Sequence, residues 1–390
     1  MTTFVDTSVL LSGLQAEDQD PVVVVVRSAQ GMLREGLGET ESVIFERNFS
    51  AEYSSKNWAS VFDLLLSNAE TVFKKLVGDS SVADRISKTA EGYFEVALSI
   101  LSKLESVDEV VSRINSFIST MSAETREDTA GLAVKSLKFK LLTTLLNTLS
   151  PKAQLRLTVA KGLCQFAKNN GEKFNPQVFA LVKNCDLWIS ENEAEWDVSV
   201  DAKKEMFSLV QTIASQDEDR VKYMKLQAEL ATEPQRQKLI EETIIESIGA
   251  EHIFRFSDLL PLAKELSSGS NKVAEFFSKF VSGKNICGDI PSFEEFKLDK
   301  ERVLNKMRVL ALVSHLIDTT KSSDEVSLAD IGDALKTSDP FSVIVEAFRA
   351  GLVRGSIDQV RGVLNVKAVA TRHGEGDDEL VQILNRMKQQ

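Results

Sequence analysis

Only seven prolines and 19 glycines interrupt a chain of 390 residues. An interior glycine costs a helix about 1 kcal/mol and a proline about 3 kcal/mol, so this scarcity favours helices along most of the length. Cysteine is scarcer still. Cys164, Cys185 and Cys287 are far apart, form no CxxC pair and are odd in number, which argues against a disulfide framework or zinc ribbon and fits a reducing compartment. Long apolar runs are missing too. The five valines at 22–26 meet Arg27 and then Arg34, far short of the roughly 20 apolar residues a membrane span needs. No signal-peptide pattern is evident at the start. The reading is of an intracellular protein with no membrane partner, for which cytoplasm and nucleus are both allowed.

Catalytic vocabulary is equally thin. Three histidines are present, His252, His315 and His373, and none has a second His, Cys or acid at ligand spacing. No HExxH, GxSxG, Walker or dinucleotide motif occurs. Gly374-Glu375-Gly376 is a lone glycine turn beside acids, hostile to phosphate. The pairs Glu241-Glu242 and Glu294-Glu295 read as solvated surface. The expectation is a non-enzyme with no catalytic residue, metal or cofactor.

Positive charge is also in deficit. The formal net charge is −12, and residues 1–52, with nine acidic and three basic side chains, carry −6 of it. Nucleic-acid affinity comes largely from phosphate neutralisation, so proteins are the expected neighbours of such a chain.

What the chain does have is helical periodicity. Residues 1–52 read as an acidic, poorly ordered segment with one short helix near 22–35. From Tyr53 onward, apolar stripes recur. Val61, Leu64, Leu65, Asn68, Val72, Phe73 and Leu76 form one, Phe94, Ala97, Leu98, Leu101 and Leu104 a second, and Leu137, Leu141, Leu145 and Leu149 a third. Spacings of three and four place each set on one helix face. Ser106 with Glu109 fits a capping box. Ser150-Pro151, Asn175-Pro176 and Asp339-Pro340 each put a capping side chain before a proline suited to the first turn. Helices of about 15–20 residues with short polar turns, such as 168–171, make an α-solenoid of helix pairs. No repeat of fixed length is found. N-terminal helical repeats are assigned to residues 53–205 and a second domain to residues 206–372.

After about residue 283 the texture changes. A long helix at 299–319 is followed by a short strand at 326–328, helices at 329–335 and 340–350, and a hairpin. Its arms are 352–360 and 363–370, joined at Arg361-Gly362. In the second arm Leu364, Val366 and Ala368 alternate with Asn365 and Lys367, the period of a half-buried strand. The helix before it carries Phe341, Ile344, Val345 and Phe348 as its apolar face. Strand, two helices and hairpin make a winged helix, over about 299–372. A tail helix at 373–390 presents Leu380, Ile383, Leu384 and Met387.

Would this winged helix read DNA? Residues 321–372 hold seven basic and seven acidic side chains, without the positive surplus that groove binding needs. No DNA partner is expected. An exposed hairpin edge can instead add a strand from another protein. The tail helix either joins a bundle with partner tails or folds back on the module; both remain open. The expected protein-interaction residues are Leu352, Val353, Ile357, Asp358, Gln359 and Val366 in the hairpin, with Leu380, Ile383, Leu384 and Met387 in the tail.

Residues 352–360, Leu-Val-Arg-Gly-Ser-Ile-Asp-Gln-Val, resemble the hairpin signature of PCI-domain proteins, in which an Ile-Asp-Gln core follows a short apolar-polar lead. Residues 306–310 (Lys-Met-Arg-Val-Leu) and 137–171 are similar to the branch of that family found in eukaryotic translation initiation factor three. The turn at 371–374 is comparable, with its order changed. The likeness covers about residues 130–390. It implies helical repeats running into a winged helix, and a non-catalytic scaffold among other PCI- and MPN-domain subunits. In the initiation factor such a subunit would reach the small ribosomal subunit indirectly and support recruitment of messenger and initiator transfer RNA. The alternative it implies is the signalosome, which removes a ubiquitin-like modifier from cullins, or a subunit shared by both.

Overall fold

The computed structural model describes residues 26, 33, 34, 36, 38–76, 83–125, 129–266, 271–282, 296–320 and 324–370. The chain divides into two compact units, Met1–Ser215 and Gln216–Gln390. Among the described residues no helix is long and apolar enough to cross a membrane.

In the first unit the helices are α1 (Glu39–Ser54), α2 (Trp58–Ser67), α3 (Ala69–Leu76), α4 (Ala83–Leu101), α5 (Val107–Ser122), α6 (Thr129–Thr148), α7 (Leu155–Asn170), α8 (Asn175–Val182), α9 (Cys185–Glu191) and α10 (Val200–Ile213). Helical order begins earlier than expected. The loose acidic segment was to run to residue 52, but α1 starts at Glu39 and buries Phe45 and Phe49. Its many charged positions lie on the outer face, which hid the stripe. Asn68 splits the first predicted stripe into α2 and α3, and its side-chain nitrogen donates to the Leu64 carbonyl at 2.9 Å.

The predicted cores of α4 and α6 hold, except that Leu104 lies past the end of α4 and is half-buried. Phe94, Ala97, Leu98 and Leu101 are buried, as are Leu137, Leu141, Leu145 and Leu149. Tyr93 joins them, its hydroxyl donating to the Leu65 carbonyl at 2.9 Å. Helix α7 packs on α5, α6 and α10. Contact with α5 is closest at Gly162, where a Cβ would stand 2.3 Å from Ile118 Cγ2.

Ser106 caps α5 as expected, accepting from the Glu109 N–H at 3.5 Å. Two other starts differ. Ser150-Pro151 forms a turn and α7 begins only at Leu155. Asn175 is already helical at φ −53°, ψ −50°, because the 3₁₀ turn Glu172–Phe174 runs straight into α8. The polar stretch 168–170 stays helical, and Gly171, at φ +107°, ends α7 in a conformation that favours glycine.

In the second unit, α11 (Asp217–Leu230) packs on α12 (Gln235–Gly249), which also meets α13 (Leu260–Leu266) and α14 (Lys272–Ser282). Helix α15 (Lys300–Thr319) follows, its first turn capped by Asp299, whose carboxylate accepts from the Glu301 and Arg302 N–H groups. Then come β1 (Glu325–Ser327), α16 (Leu328–Leu335), α17 (Pro340–Arg349), β2 (Val353–Asp358) and β3 (Val363–Val369). The strands form an antiparallel sheet in the order β1-β3-β2. This is the winged helix. Asp339 caps α17 as the sequence requires, accepting from Ser342 N–H at 3.1 Å.

One device recurs in both units. A cation on one helix donates to carbonyls at the C-terminal end of an earlier helix. Lys138 of α6 reaches Ala123 O at 3.1 Å, just past α5. Arg156 of α7 reaches Leu146 O and Leu149 O at the end of α6, at 3.0 and 3.2 Å. Arg236 of α12 reaches Ala228 O and Glu229 O at the end of α11. Lys306 of α15 does the same for α12. Orphan carbonyls and the negative end of the helix dipole both favour a cation there.

Candidate protein-interaction site

The winged helix is built on a shared core. Val303, Met307 and Leu310 of α15 pack with Ile331 and Leu335 of α16, with Val343, Ile344 and Ala347 of α17, and with the hairpin. The buried face of α17 differs from the expected one: Phe341 is 41% exposed and Val345 and Phe348 are only half-buried. The helix starts at Pro340 as expected, but Phe341 faces outward in the first turn while Val343, Ile344 and Ala347 face in.

The hairpin carries a bulge. Arg354 pairs with Ala368 and Gly355 with Val366, leaving Lys367 as the extra residue on β3. Up to Val366 the strand alternates as predicted, with Leu364 and Val366 buried. Past the bulge the phase slips, so Ala368 is exposed and Val369 sits opposite the buried Val353. Gly355 makes the close crossing possible, since a Cβ there would stand 2.2 Å from the Asn365 backbone oxygen. No period-2 pattern reveals such a shift; the Gly355 position was the available signal.

Of the residues expected to face a partner, Leu352, Val353 and Val366 are buried in the module's own core. Their role is to hold the hairpin, because the strand's inward face packs on α15 and α17. Ile357 and Asp358 are half-buried and Gln359 is exposed. Asp358 shapes the turn, accepting from the Val360 and Arg361 N–H groups, both at 3.0 Å. Gly362 closes it at φ +65°. Arg361 grips the Glu325 carboxylate with two donors, at 3.1 and 2.9 Å, and this partner holds the guanidinium above its usual range. Val360, absent from the expected set, is 98% exposed at the tip. The tail residues Leu380, Ile383, Leu384 and Met387 lie outside the described residues.

Two surfaces can therefore be compared. Among the described residues β2 pairs with β3 alone, so one edge of Val353–Asp358 offers free backbone donors and acceptors. Helix α17, where a DNA-binding winged helix would read bases, has one basic residue. That residue, Arg349, stands 3.6 Å from Glu346. The edge has free main-chain groups, whereas the helix lacks a surplus of positive charge.

The segment 306–310 has a structural basis. Lys306 is 3% exposed and donates to Ser247 O, Ile248 O and Ala250 O at 2.8, 3.2 and 2.6 Å. The rings of Phe254, Phe256 and Phe280 surround it at 5.6, 5.2 and 5.9 Å. Burial pushes its ammonium down to about 7, with Arg302 adding to that and Asp217 opposing it. It lines a cavity of about 360 Å³ between α15 and α17.

What fold and geometry define together is a helical-repeat protein closed by a winged helix with one free sheet edge. The sequence comparisons point the same way. The chain is similar to eukaryotic translation initiation factor 3 subunit M of Dictyostelium discoideum, 25% identical over 304 residues that span 73% of this chain and 72% of the relative. It is similar to the protein of the same name from Nematostella vectensis, also 25% identical, over 196 residues spanning 45% of this chain and 49% of that relative. No family model matches the chain.

Proposed function

We propose that this protein is a non-catalytic scaffold subunit of the eukaryotic translation initiation factor 3 complex, seated among PCI- and MPN-domain subunits. Through that assembly it supports recruitment of messenger and initiator transfer RNA to the small ribosomal subunit. The likeness to subunit M over 304 residues carries the reading. The free β2 edge supplies the physical means, since an edge strand accepts a partner strand through main-chain hydrogen bonds. A scaffold in the signalosome, or in both complexes, is the second reading; it shares the winged helix but not the subunit-level likeness.

Affinity purification of the tagged chain followed by mass spectrometry tests both. Recovery of other initiation-factor subunits is expected. Their absence, together with a metal-dependent isopeptidase and altered cullin modification after depletion, would overturn the first reading in favour of the second. Ile357→Asp puts a carboxylate at the margin of the module's core, beside the free edge, where Ile357 is half-buried; it should cost about 2 kcal/mol, and circular dichroism checks that the variant is folded. Partner recovery should fall about tenfold, since an unpaired charge must be desolvated on docking. Full recovery with the variant would move the interface elsewhere.

A further inference from the structure

We infer that a second surface of the C-terminal unit receives an acidic peptide segment anchored by one apolar side chain. The surface is a pocket of about 540 Å³ between α11 and the stretch after α12. Its floor is apolar: Val221, Ile253, Leu259 and Leu352 are all buried. Its rim is cationic. Lys222 and Lys225 are one turn apart on α11 and therefore share a face. His252 and Arg255 follow from a different local rule. Buried Ile253, Phe254 and Phe256 pin the chain after α12 to the core, and the intervening His252 and Arg255 are left exposed.

Against a chain of net charge −12, this grouping runs opposite to the general trend. Glu218 and Asp258 also line the pocket, and Asp258 lies 3.9 Å from Lys225. Counting three cations against two carboxylates leaves one positive charge. Arg255 has no carboxylate partner among the described residues. So small a surplus does not suit a polyanion, whose affinity grows with each phosphate neutralised. Nor is there a broad stacking platform: the one phenyl ring of the lining, Phe254, is 8% exposed, and single-stranded nucleic acid stacks its bases on open aromatic faces. A short acidic peptide with an apolar anchor uses both features, the side chain filling the floor and its carboxylates meeting Arg255 and the lysines. The inference stands apart from the initiation-factor reading, because it concerns a side-chain pocket that adjoins β2 at Leu352 rather than the strand's free backbone edge, and it is tested on the isolated chain.

The probe is a fluorescein-labelled Gly/Ser peptide carrying Asp-Asp-Leu-Glu-Glu, followed by fluorescence anisotropy with the full chain. Saturable binding is expected. It should weaken about tenfold in Arg255→Glu and in Lys222→Glu, both exposed positions whose folding is verified by circular dichroism. Replacing the peptide leucine by glycine should weaken it about tenfold as well, the loss of one buried side chain. The same peptide with lysines for its acids should not bind. The proposal is overturned if the acidic peptide shows no saturable binding, if acidic and basic peptides bind alike, if Arg255→Glu leaves the affinity unchanged, or if an oligouridylate binds in place of the peptide.

Discussion

Lys306→Met removes a buried ammonium while keeping most of the side-chain volume, and two large effects of opposite sign decide the outcome. The fall of this group from 10.5 to about 7 means that the fold holds the charged form at a net cost of about 5 kcal/mol relative to the amine, at about 1.4 kcal/mol per pKa unit. Set against it, ammonium and amine alike donate to the Ser247, Ile248 and Ala250 carbonyls, which methionine cannot do. The variant leaves three buried carbonyls without a donor, at about 1–3 kcal/mol each, and together these outweigh the relief. We expect α12 to lose about 3 kcal/mol of local stability, a roughly hundredfold drop in amide protection. Hydrogen exchange with mass spectrometry on peptides from Gln235–Gly249 reads this directly, with peptides from α5–α7 as an internal reference. Unchanged or stronger protection in the variant would show that desolvation outweighs the carbonyl bonds, and would refute the capping argument.

The same residue predicts a pH dependence. Because the folded group sits near 7 and the unfolded one near 10.5, opening takes up a proton between those values, so this group's contribution to stability rises with pH across that window and is flat below it. The gap in urea midpoint between the native chain and Lys306→Met should therefore be larger at about pH 9 than at about pH 6, and a constant or shrinking gap would contradict it. Gly355→Ala places a Cβ against the Asn365 backbone oxygen and should cost about 2 kcal/mol. Chemical denaturation reads that loss, and a neutral result would mean that β2 can move away.

The sequence carried the elements of the winged helix to within a residue or two because its cues are local. Asp339-Pro340 caps a helix, Arg361-Gly362 sits in the turn, and Leu364 and Val366 alternate. Its errors arose where the deciding contact is distant. Phe341 and Phe348 look like core on a helical wheel, but which face is buried depends on α15. Ala368 reads as inward until the bulge at Lys367 reverses the phase. Lys306 is charged and so invites a surface assignment. Only carbonyls some 56–59 positions earlier in the chain explain why it is buried. The candidate site was legible as a hairpin, though not in its details. Leu352, Val353 and Val366 belong to its support, and Val360 at the tip had no pattern to mark it.

The cations that close helix ends have a consequence for how such an array comes apart. In most stacks of helices the terminal element can fray while its neighbours stay intact, since adjacent elements share only side-chain contacts. Here the last turns of α5, α6, α11 and α12 each depend on a residue from a later helix. Removing the later helix also unwinds the end of the earlier one. Within each unit this links the helices into larger cooperative blocks, so partial opening is costlier and fewer half-open states are exposed to proteases. The folded chain gains persistence from that coupling.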